Sequence, residues 1–251
     1  MHDCLNCAST APRTKVLDLG KQPLANGYQL HVGNSTTAPR YPLAISECPV
    51  CHLVQLDERA PEDLFRRDYP FRQGESKTWL AHLEEFEEAA YGDQLWRETS
   101  GRHLDVGAND GTFVRIMRHG GWDSVGVDPA PTGPFVSEGV MGLDWAYNQA
   151  DMRGNPTKPY DLITAFNVLA HVLDLDDFLG GIKAVLAPER RLVVEVPNWD
   201  LSTWTQVYAE HASYFTESTL VDCLERRGFT VTSVTPQPTH EGSIRVVATH
   251  A

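Results

Sequence analysis

Three side chains that can exchange protons lie within four residues of one another near the carboxyl-terminal end of the chain. Tyr208, Glu210 and His211 bring a phenol, a carboxylate and an imidazole into one short segment. An imidazole titrates near neutral pH and is suited to removing a proton from a reacting group. The cluster therefore indicates acid–base chemistry. In the competing interpretation Tyr208 and Tyr214 only pack, and His211 is an ordinary polar residue.

A second pattern, an acidic residue followed by a glycine turn, lies upstream of this cluster. The run Asp105-Val-Gly107-Ala-Asn-Asp-Gly111 overlaps a β-rich stretch, and the next β-rich stretch ends in Asp128. Glycines at a strand-to-helix turn let the backbone approach a ligand, and an acid at the tip of the next strand accepts hydrogen bonds from ribose hydroxyls. This pattern predicts a nucleoside-bearing ligand.

The charge of the turn indicates which nucleoside binds. A dinucleotide places an anionic pyrophosphate at the helix N-terminus, where the carboxylate of Asp105 would be unfavourable. S-adenosylmethionine carries an ammonium and a sulfonium, and we predict it as the cofactor. The predicted cofactor residues are Asp105 and Gly107 near the methionine end, Gly111 in the turn, Asp128 at the ribose, Asn167 beside the cofactor and Asp151 towards the adenine. An NAD-dependent oxidoreductase and a turn that binds nothing are the competing interpretations.

Four cysteines form two pairs with identical spacing, Cys4-x-x-Cys7 and Cys48-x-x-Cys51. Two such knuckles supply the four thiolates of a tetrahedral Zn²⁺ site, which leaves no open position and indicates a structural metal. A zinc-activated thiolate that accepts methyl groups and a pair of disulfides are the alternatives. We expect Cys223 to be a buried apolar residue.

The elements that position these residues follow from the apolar spacing. From residue 101 onward strands alternate with helices, which is typical of a parallel sheet with helices on both faces. The predicted fold class is α/β, with a Rossmann-like seven-stranded sheet that resembles the class I methyltransferase sheet, and a small N-terminal Cys4 zinc module. The predicted domains are a zinc-binding module at 1–58, a helical connector at 59–100 and a methyltransferase domain at 101–251.

Composition excludes several classes of partner. The 251-residue chain has 34 Asp and Glu against 21 Lys and Arg, a net charge of -13, and no basic tract. Phosphate-backbone binding needs clustered cations, so we expect no nucleic-acid partner. No stretch reaches the length of a membrane span and no leader is evident, so a soluble, cytoplasmic protein with a small-molecule substrate is expected.

The motifs together resemble the sugar C-methyltransferases of antibiotic biosynthesis, which methylate carbon 3 of dTDP-linked 4-keto deoxysugars. The resemblance covers nearly the whole chain. The matching features are the paired cysteines, the Asp105 to Thr112 turn, Asn167-Val-Leu-Ala-His171, Tyr208-Ala-Glu210-His211-Ala-Ser-Tyr214 and His240-Glu-Gly-Ser243-Ile-Arg245.

The resemblance implies a role for each of Tyr208, Glu210 and His211. His211 would be the base that removes a proton next to a ketone, Glu210 would orient or tune it, and Tyr208 would bind the substrate or stabilise the enolate. His171 would share the base role if the acceptor atom were oxygen or nitrogen. O- or N-methylation and a non-catalytic, nucleoside-binding zinc-module protein therefore stay open as alternatives.

Three features depart from the family. Its members continue into a C-terminal domain that this chain, ending at Ala251, is expected to lack, so a homodimer or a partner chain stays open. Glu241 replaces a glycine, and its carboxylate disfavours a diphosphate. Phe71 lies where members of the family often have a substrate-facing tyrosine, whose place either Tyr69 or no residue would take.

Overall fold

The structure is a computed structural model, and it describes residues 3–25, 38–59, 71–92, 101–129, 140–142, 159–201 and 204–251. These residues form a large sheet of seven strands and a small sheet of four. The strands are β1 (Thr14–Pro23), β2 (Arg40–Glu47), β3 (Val54–Leu56), β4 (Arg102–Val106), β5 (Asp123–Asp128), β6 (Val140–Gly142), β7 (Tyr160–Phe166), β8 (Leu186–Pro197), β9 (Ser213–Tyr214), β10 (Thr230–Gln237) and β11 (Ser243–Thr249). The longer helices are α1 (Lys77–Gly92), α2 (Thr112–His119), α3 (Leu175–Val185) and α4 (Glu217–Arg226).

The large sheet has the strand order β10-β11-β8-β7-β4-β5-β6. Strands β8, β7, β4, β5 and β6 are parallel, whereas β11 is antiparallel to β8 and to β10. The predicted seven-stranded sheet with a terminal hairpin is therefore confirmed. The carboxyl ends of β4, β5, β7 and β8 meet at one edge, where open α/β sheets bind their ligands.

Helix boundaries follow local capping chemistry. The Ser76 hydroxyl accepts a hydrogen bond from Trp79 N at the start of α1, and Thr216 forms a capping box with Thr219 at the start of α4. Asp174 accepts from Asp177 N at the start of α3. These side chains satisfy amide groups that a helix leaves unpaired at its first turn.

Two apolar clusters cover the two faces of the large sheet. The aromatic stripe of α1, which includes Trp79 and Phe86, packs with Phe113, Met117 and Phe166 on one face. Residues of α3 and α4 pack on the other face in a cluster that also contains three of the paired cysteines. The acidic positions 84, 85 and 88 of α1 are exposed, as expected of a solvated face.

The apolar run from Arg191 to Val196 predicts a strand, and β8 begins five residues before it, at Leu186. Leu186 directly follows α3 and pairs with Tyr160, and a register irregularity separates this pair from Leu162 and Arg191. The irregular segment carries Glu189 at φ 61, a backbone conformation that period-two patterning does not reveal.

The small sheet combines three N-terminal strands with β9, which lies much later in the chain. Its order is β1-β2-β3-β9, and the β3–β9 register pairs Val54 with Tyr214 and Gln55 with Ser213. The predicted boundaries at residues 58 and 100 stay predictions, but this sheet joins residues on both sides of them. The sequence also predicts a short helix that begins at Pro61, and this segment lies outside the described residues.

None of the helices in the described part of the chain is long and apolar enough to cross a membrane.

Candidate active site and zinc centre

The glycine turn after β4 adopts a backbone that side chains disfavour. Gly107 has φ +79 and Gly111 has φ +75. A Cβ on Gly107 would lie 2.3 Å from Cγ2 of Val168, in the loop after β7. Gly107 N donates to Val127 O at 2.8 Å, which anchors the turn to β5. The glycines therefore permit both the left-handed turn and the close approach of the neighbouring loop.

Asp105 ends a buried chain of hydrogen bonds that crosses three strands. Thr164 Oγ1 donates to Asp105 Oδ1 at 2.7 Å, and the same hydroxyl accepts from His103 Nε2 at 2.9 Å. His103 Nδ1 then accepts from the Ser124 hydroxyl at 2.8 Å. Burial lowers the pKa of His103 to about 3, which keeps the ring neutral, and burial together with the charge of Asp128 raises the pKa of Asp105 to about 7.

Asp128 lies at the carboxyl end of β5 and lines the cleft. Its Oδ2 accepts from Asn109 N at 2.8 Å, which fixes the carboxylate against the glycine turn. Asn109 Oδ1 accepts from Gln73 N at 3.2 Å, and Asn109 Nδ2 donates to Phe71 O at 3.0 Å. The connector before α1 is thereby attached to the turn, and Phe71 lines the cleft.

Asn167 follows β7 with φ 57 and also lines the cleft. Its Nδ2 donates to His240 Nε2 at 3.0 Å. Among the described residues Asn167 Oδ1 and Asp105 Oδ2 are buried acceptors without a partner. Such acceptors suit a ligand that brings an ammonium and ribose hydroxyls, because buried polar atoms in proteins are normally hydrogen-bonded. These acceptor oxygens therefore fit S-adenosylmethionine. Asp105, Asp128 and Asn167 would hold it.

Tyr208 and His211 form a hydrogen-bonded pair on the other side of the cleft. Tyr208 Oη lies 2.6 Å from His211 Nε2, and His211 Nδ1 lies 3.0 Å from Gln206 O. Since a carbonyl oxygen can only accept, Nδ1 carries the proton and the lone pair of Nε2 points at the phenol. His211 is 3% exposed, and burial together with His171 lowers its pKa well below 6.5. The His211 ring is thus a neutral base, and its Nε2 lone pair accepts a hydrogen bond from the Tyr208 phenol.

His171 lies beside this pair, with its ring centroid 4.7 Å from that of His211. Its Nδ1 donates to the backbone oxygen of Glu210 at 2.7 Å, and burial lowers its pKa to about 4. The cleft therefore contains two adjacent neutral imidazoles.

Glu210 is buried, and its Oε2 accepts from Ala25 N at 3.3 Å. The His211 ring donates to Gln206 O and accepts from Tyr208, so the expected orienting role of Glu210 stays a prediction. Tyr214 donates to Tyr208 O at 3.2 Å. Burial raises the pKa of Tyr214, which keeps this phenol protonated.

One cleft of about 240 Å³ brings most of the predicted residues together. Gly107, Asp128, Asn167, Tyr208 and His211 all line it. Asp105 and Gly111 support the glycine turn from within the fold. Asp151 and Tyr69 lie outside the described residues.

Several residues that line the cleft, among them Trp79 and Gln206, were not identified by the sequence analysis. Trp79 belongs to the apolar stripe of α1, whose first turn reaches the cleft wall. Gln206 contributes a backbone oxygen, for which a side-chain pattern carries no signal. The proximity of Gln206 to the Tyr208–His211 segment was the one available indication.

The four paired cysteines converge on one point. Their Sγ atoms all lie within 4.8 Å of one another, with 3.4 Å between Cys4 and Cys51 and 3.7 Å between Cys7 and Cys48. A tetrahedral zinc–thiolate site with Zn–S bonds of ~2.3 Å has S···S edges of ~3.8 Å, which these distances approximate. All five cysteines are free thiols, which disfavours the disulfide alternative.

The two knuckles share one backbone design. Ala8 N donates to Cys4 O and His52 N to Cys48 O, each at 2.9 Å, and both donors have positive φ. His52 Nδ1 contacts Glu47 Oε1 at 2.7 Å on the surface, so this ring is engaged away from the thiol cluster. The four thiolates would hold a zinc ion that closes the N-terminal fold.

Comparison with family models identifies the class. A model described as "Methyltransferase domain" matches residues 79–234, and one described as "Putative zinc binding domain" matches residues 4–65. The first match covers more than half of the chain, which therefore belongs to this methyltransferase family. The predicted class, an S-adenosylmethionine-dependent methyltransferase with a Cys4 zinc centre, is confirmed by these matches and by the cysteine geometry.

Individual relatives refine the picture. The chain is 25% identical over 244 residues to C-methyltransferase NovU of Streptomyces niveus. This match covers 94% of this chain and 58% of that protein. It is 30% identical over 117 residues to a ubiquinone biosynthesis O-methyltransferase of Bradyrhizobium sp. (strain ORS 278). This second match covers 44% of this chain and 46% of that protein. The chain thus spans about half the length of these curated relatives.

A solved structure shows the same fold. A SAM-dependent methyltransferase from Archaeoglobus fulgidus superposes with a TM-score of 0.52 at 17% identity, covering 69% of this chain and 93% of that one. This likeness confirms the predicted class I sheet.

Proposed function

We propose that this chain is a C-methyltransferase that transfers the methyl group of S-adenosylmethionine to a carbon next to a ketone, in a small natural-product or deoxysugar intermediate. His211 is the general base. The observation that carries the proposal is the 2.6 Å contact between Tyr208 Oη and His211 Nε2 in the cleft that Gly107, Asp128 and Asn167 also line.

The chemistry begins with proton removal. A carbon next to a ketone becomes nucleophilic only when it loses a proton. Tyr208 first turns its hydroxyl from His211 Nε2 to the ketone oxygen of the substrate, which frees the Nε2 lone pair. His211 then takes the carbon proton on Nε2 while the C–H electron pair forms the enolate, whose oxygen accepts a hydrogen bond from the phenol.

The remaining contribution of the protein is positioning. S-adenosylmethionine, which Asp128 and Asn167 would hold, would supply an electrophilic methyl group on a positively charged sulfur to the enolate carbon. Asn167 and Asp128 hold the cofactor side of the cleft, and Tyr208 and His211 hold the acceptor side. Phe71, Trp79 and Phe166 in the cleft walls exclude water, which favours in-line transfer.

The charge of the cleft favours an acceptor that is neutral at its reacting end. Among the described residues that line the cleft there is no Lys or Arg. Glu241 Oε2 accepts from Thr205 in the turn next to His240, which adds a carboxylate near this side. An anionic diphosphate would find no cation there, so a smaller enolisable ketone competes with the dTDP-sugars as substrate.

A second candidate is O-methylation. The ubiquinone O-methyltransferase relative supports it, because it has the higher identity of the two relatives over its shorter match. The same imidazole would then remove a hydroxyl proton, and the same two residues would be required. N-methylation and cofactor binding without catalysis are further outcomes of the test.

The test uses S-adenosylmethionine with a deuterated methyl group and a mixed panel of dTDP-4-keto sugars, smaller enolisable ketones and phenols. Mass spectrometry identifies the labelled product, and carbon NMR shows whether the new methyl is bonded to carbon or oxygen. We expect a new carbon–carbon bond on a ketone. Label only on oxygen would overturn the proposal in favour of O-methylation, and cofactor binding without any labelled product would favour the non-catalytic alternative.

Variants test the roles of the pair. His211→Gln should lose about 100-fold or more of the turnover, since general-base catalysis contributes typically 10²–10⁴-fold. Binding of S-adenosylhomocysteine should stay unchanged. His119→Gln, the same substitution at an exposed histidine of α2, is the matched control. Retained turnover in His211→Gln would refute the base assignment.

A further inference from the structure

Gln55 occupies a position where the fold would accept an apolar residue. It is the middle residue of β3, between Val54 and Leu56, and all three are buried. Gln55 is 1% exposed. Burying a primary amide is costly unless its hydrogen bonds are satisfied. The contacts of this side chain therefore indicate why a polar residue stands here.

The side chain of Gln55 holds the first zinc knuckle on both sides of Cys4. Its Oε1 accepts from Leu5 N at 2.9 Å, and its Nε2 donates to Asp3 O at 3.3 Å. The second knuckle lies in the turn that leads into β3, where Cys48 N donates to Leu53 O at 3.0 Å. Both knuckles are thus attached to β3.

The backbone of β3 also holds the segment that carries His211. Gln55 pairs with Ser213 in β9, and Leu56 N donates to Ala212 O at 3.0 Å. On the opposite side Ala212 N donates to Ala170 O at 2.7 Å, in the loop that carries His171. The residue directly after His211 is therefore fixed between β3 and the loop after β7.

We propose that Gln55 is a positioning residue that connects the zinc knuckles to β9, so that the occupied zinc centre sets the position of the Tyr208–His211 pair. The role of the pair in catalysis rests on the proposed function, whereas its position does not. Zinc holds Cys4 and Cys48 together, Gln55 transmits the position of the first knuckle to β3, and β3 places β9. The glycine turn and Asp128 belong to another sheet and do not depend on this connection.

A matched pair of variants tests the proposal. Gln55→Leu keeps the size and burial of the side chain and removes its hydrogen bonds to the first knuckle. Asn6→Ala loosens the same knuckle on its other side, where Asn6 donates to Asp222 at 2.7 Å and accepts from Arg227 at 2.9 Å, both on or next to α4. Only the first variant acts on β9.

The decisive readout is hydrogen exchange of the amides in residues 207–215, measured by mass spectrometry on the zinc-loaded full chain without substrate. We expect faster exchange there in Gln55→Leu than in Asn6→Ala, with unchanged zinc content and unchanged affinity for S-adenosylhomocysteine. Turnover should fall about 100-fold with little change in KM, since a displacement of ~1 Å can cost that much. Wild-type exchange in Gln55→Leu, or equal exchange in both variants, would overturn the proposal.

Zinc removal gives a second route if Gln55→Leu does not fold or does not keep its metal. A strong chelator applied to the wild-type protein should raise exchange in residues 207–215 while residues 102–128 keep their protection. Unchanged protection of residues 207–215 after the metal has left would refute the coupling. Because exchange needs no substrate, this result is independent of whether the chain methylates carbon.

Discussion

Thr164 Oγ1 donates a 2.7 Å hydrogen bond to Asp105 Oδ1 in the interior of the large sheet. The hydroxyl also accepts from the neutral ring of His103, so its own proton is directed at the carboxylate. Burial raises the pKa of Asp105 to about 7 despite this bond. Asp105 therefore changes its charge within the pH range in which cofactor binding can be measured.

We expect the affinity for S-adenosylhomocysteine, which carries the same ammonium as the cofactor, to increase as the pH rises through about 7 and Asp105 ionises. Thr164→Val removes a bond that favours the carboxylate, so the transition should move to higher pH. If the pKa of Asp105 rises by one unit in this variant, its affinity at pH values below the transition should be about tenfold lower than that of the wild type. Calorimetric titrations across this pH range measure the effect, with Thr230→Val at an exposed strand position as the control. Affinity independent of pH would exclude Asp105 as the partner of the ammonium.

The same carboxyl predicts a change in stability. Its pKa in the folded state is raised above the ordinary value of 3.8, so the carboxyl favours the folded state at low pH, and this contribution is lost as the pH rises from about 4 to about 7. Asp105→Asn should therefore raise the melting temperature of the cofactor-free protein at pH values above 7, while it weakens cofactor binding. Thermal unfolding at two pH values tests this, and a lower melting temperature above pH 7 would contradict it.

His171 and His240 both lower the pKa of His211, in addition to burial. The base is therefore neutral well below pH 6.5, and the acid limb of turnover should lie below that pH. In His171→Asn the pKa of His211 should rise, so the acid limb should move to higher pH. The pH dependence of kcat/KM measures this, with His119→Asn as the control. A limb that stays in place would mean that another group is the base.

Zinc binding should require all four paired cysteines and not Cys223. Cys48→Ser should lose the metal and lower the melting temperature, because Cys48 packs in the apolar cluster that covers one face of the large sheet. Cys223→Ala should retain stoichiometric zinc. Burial raises the pKa of Cys223 to about 12, so this thiol should also resist alkylation in the native protein. Metal analysis and labelling kinetics distinguish the two sites.

Gly107→Ala should destabilise the protein by about 2–4 kcal/mol, because it combines a left-handed backbone, which costs about 1–2 kcal/mol, with overpacking against Val168. Adding Val168→Ala should recover only the overpacking part. Gly121→Ala is the matched control, since Gly121 has φ +92 and no atom within 4 Å of its Cβ position. Chemical denaturation measures all three variants. Equal costs at both glycines would show that the contact with Val168 contributes nothing.

Local patterns predicted the strands that form the ligand edge. The apolar run Tyr160–Phe166 predicts a strand at its observed bounds, and the helical spacing of Leu175, Phe178, Leu179, Ile182 and Val185 predicts the helix that follows it. The glycine turn and the cysteine spacing carried the cofactor and metal predictions in the same way. Each depends on residues that are close together in the sequence.

The relationships that were missed join distant residues. The contact between the His171 and His211 rings, the chain from Ser124 to Asp105 and the pairing of β3 with β9 depend on which strands become neighbours. The role of Gln55 could not be predicted from local patterns, since a single polar residue in a three-residue apolar strand has no periodicity of its own. Trp79 shows the converse, because a helical stripe indicates burial but not which end of the helix reaches a cleft.

The pairing of β3 with β9 also constrains biosynthesis. Residues 54–56 leave the ribosome long before residues 213–214, and almost the whole methyltransferase domain is synthesised between them. Until then one edge of β3 has unpaired amide and carbonyl groups, which nascent chains tend to pair with the wrong strand. The small sheet is therefore completed late in translation.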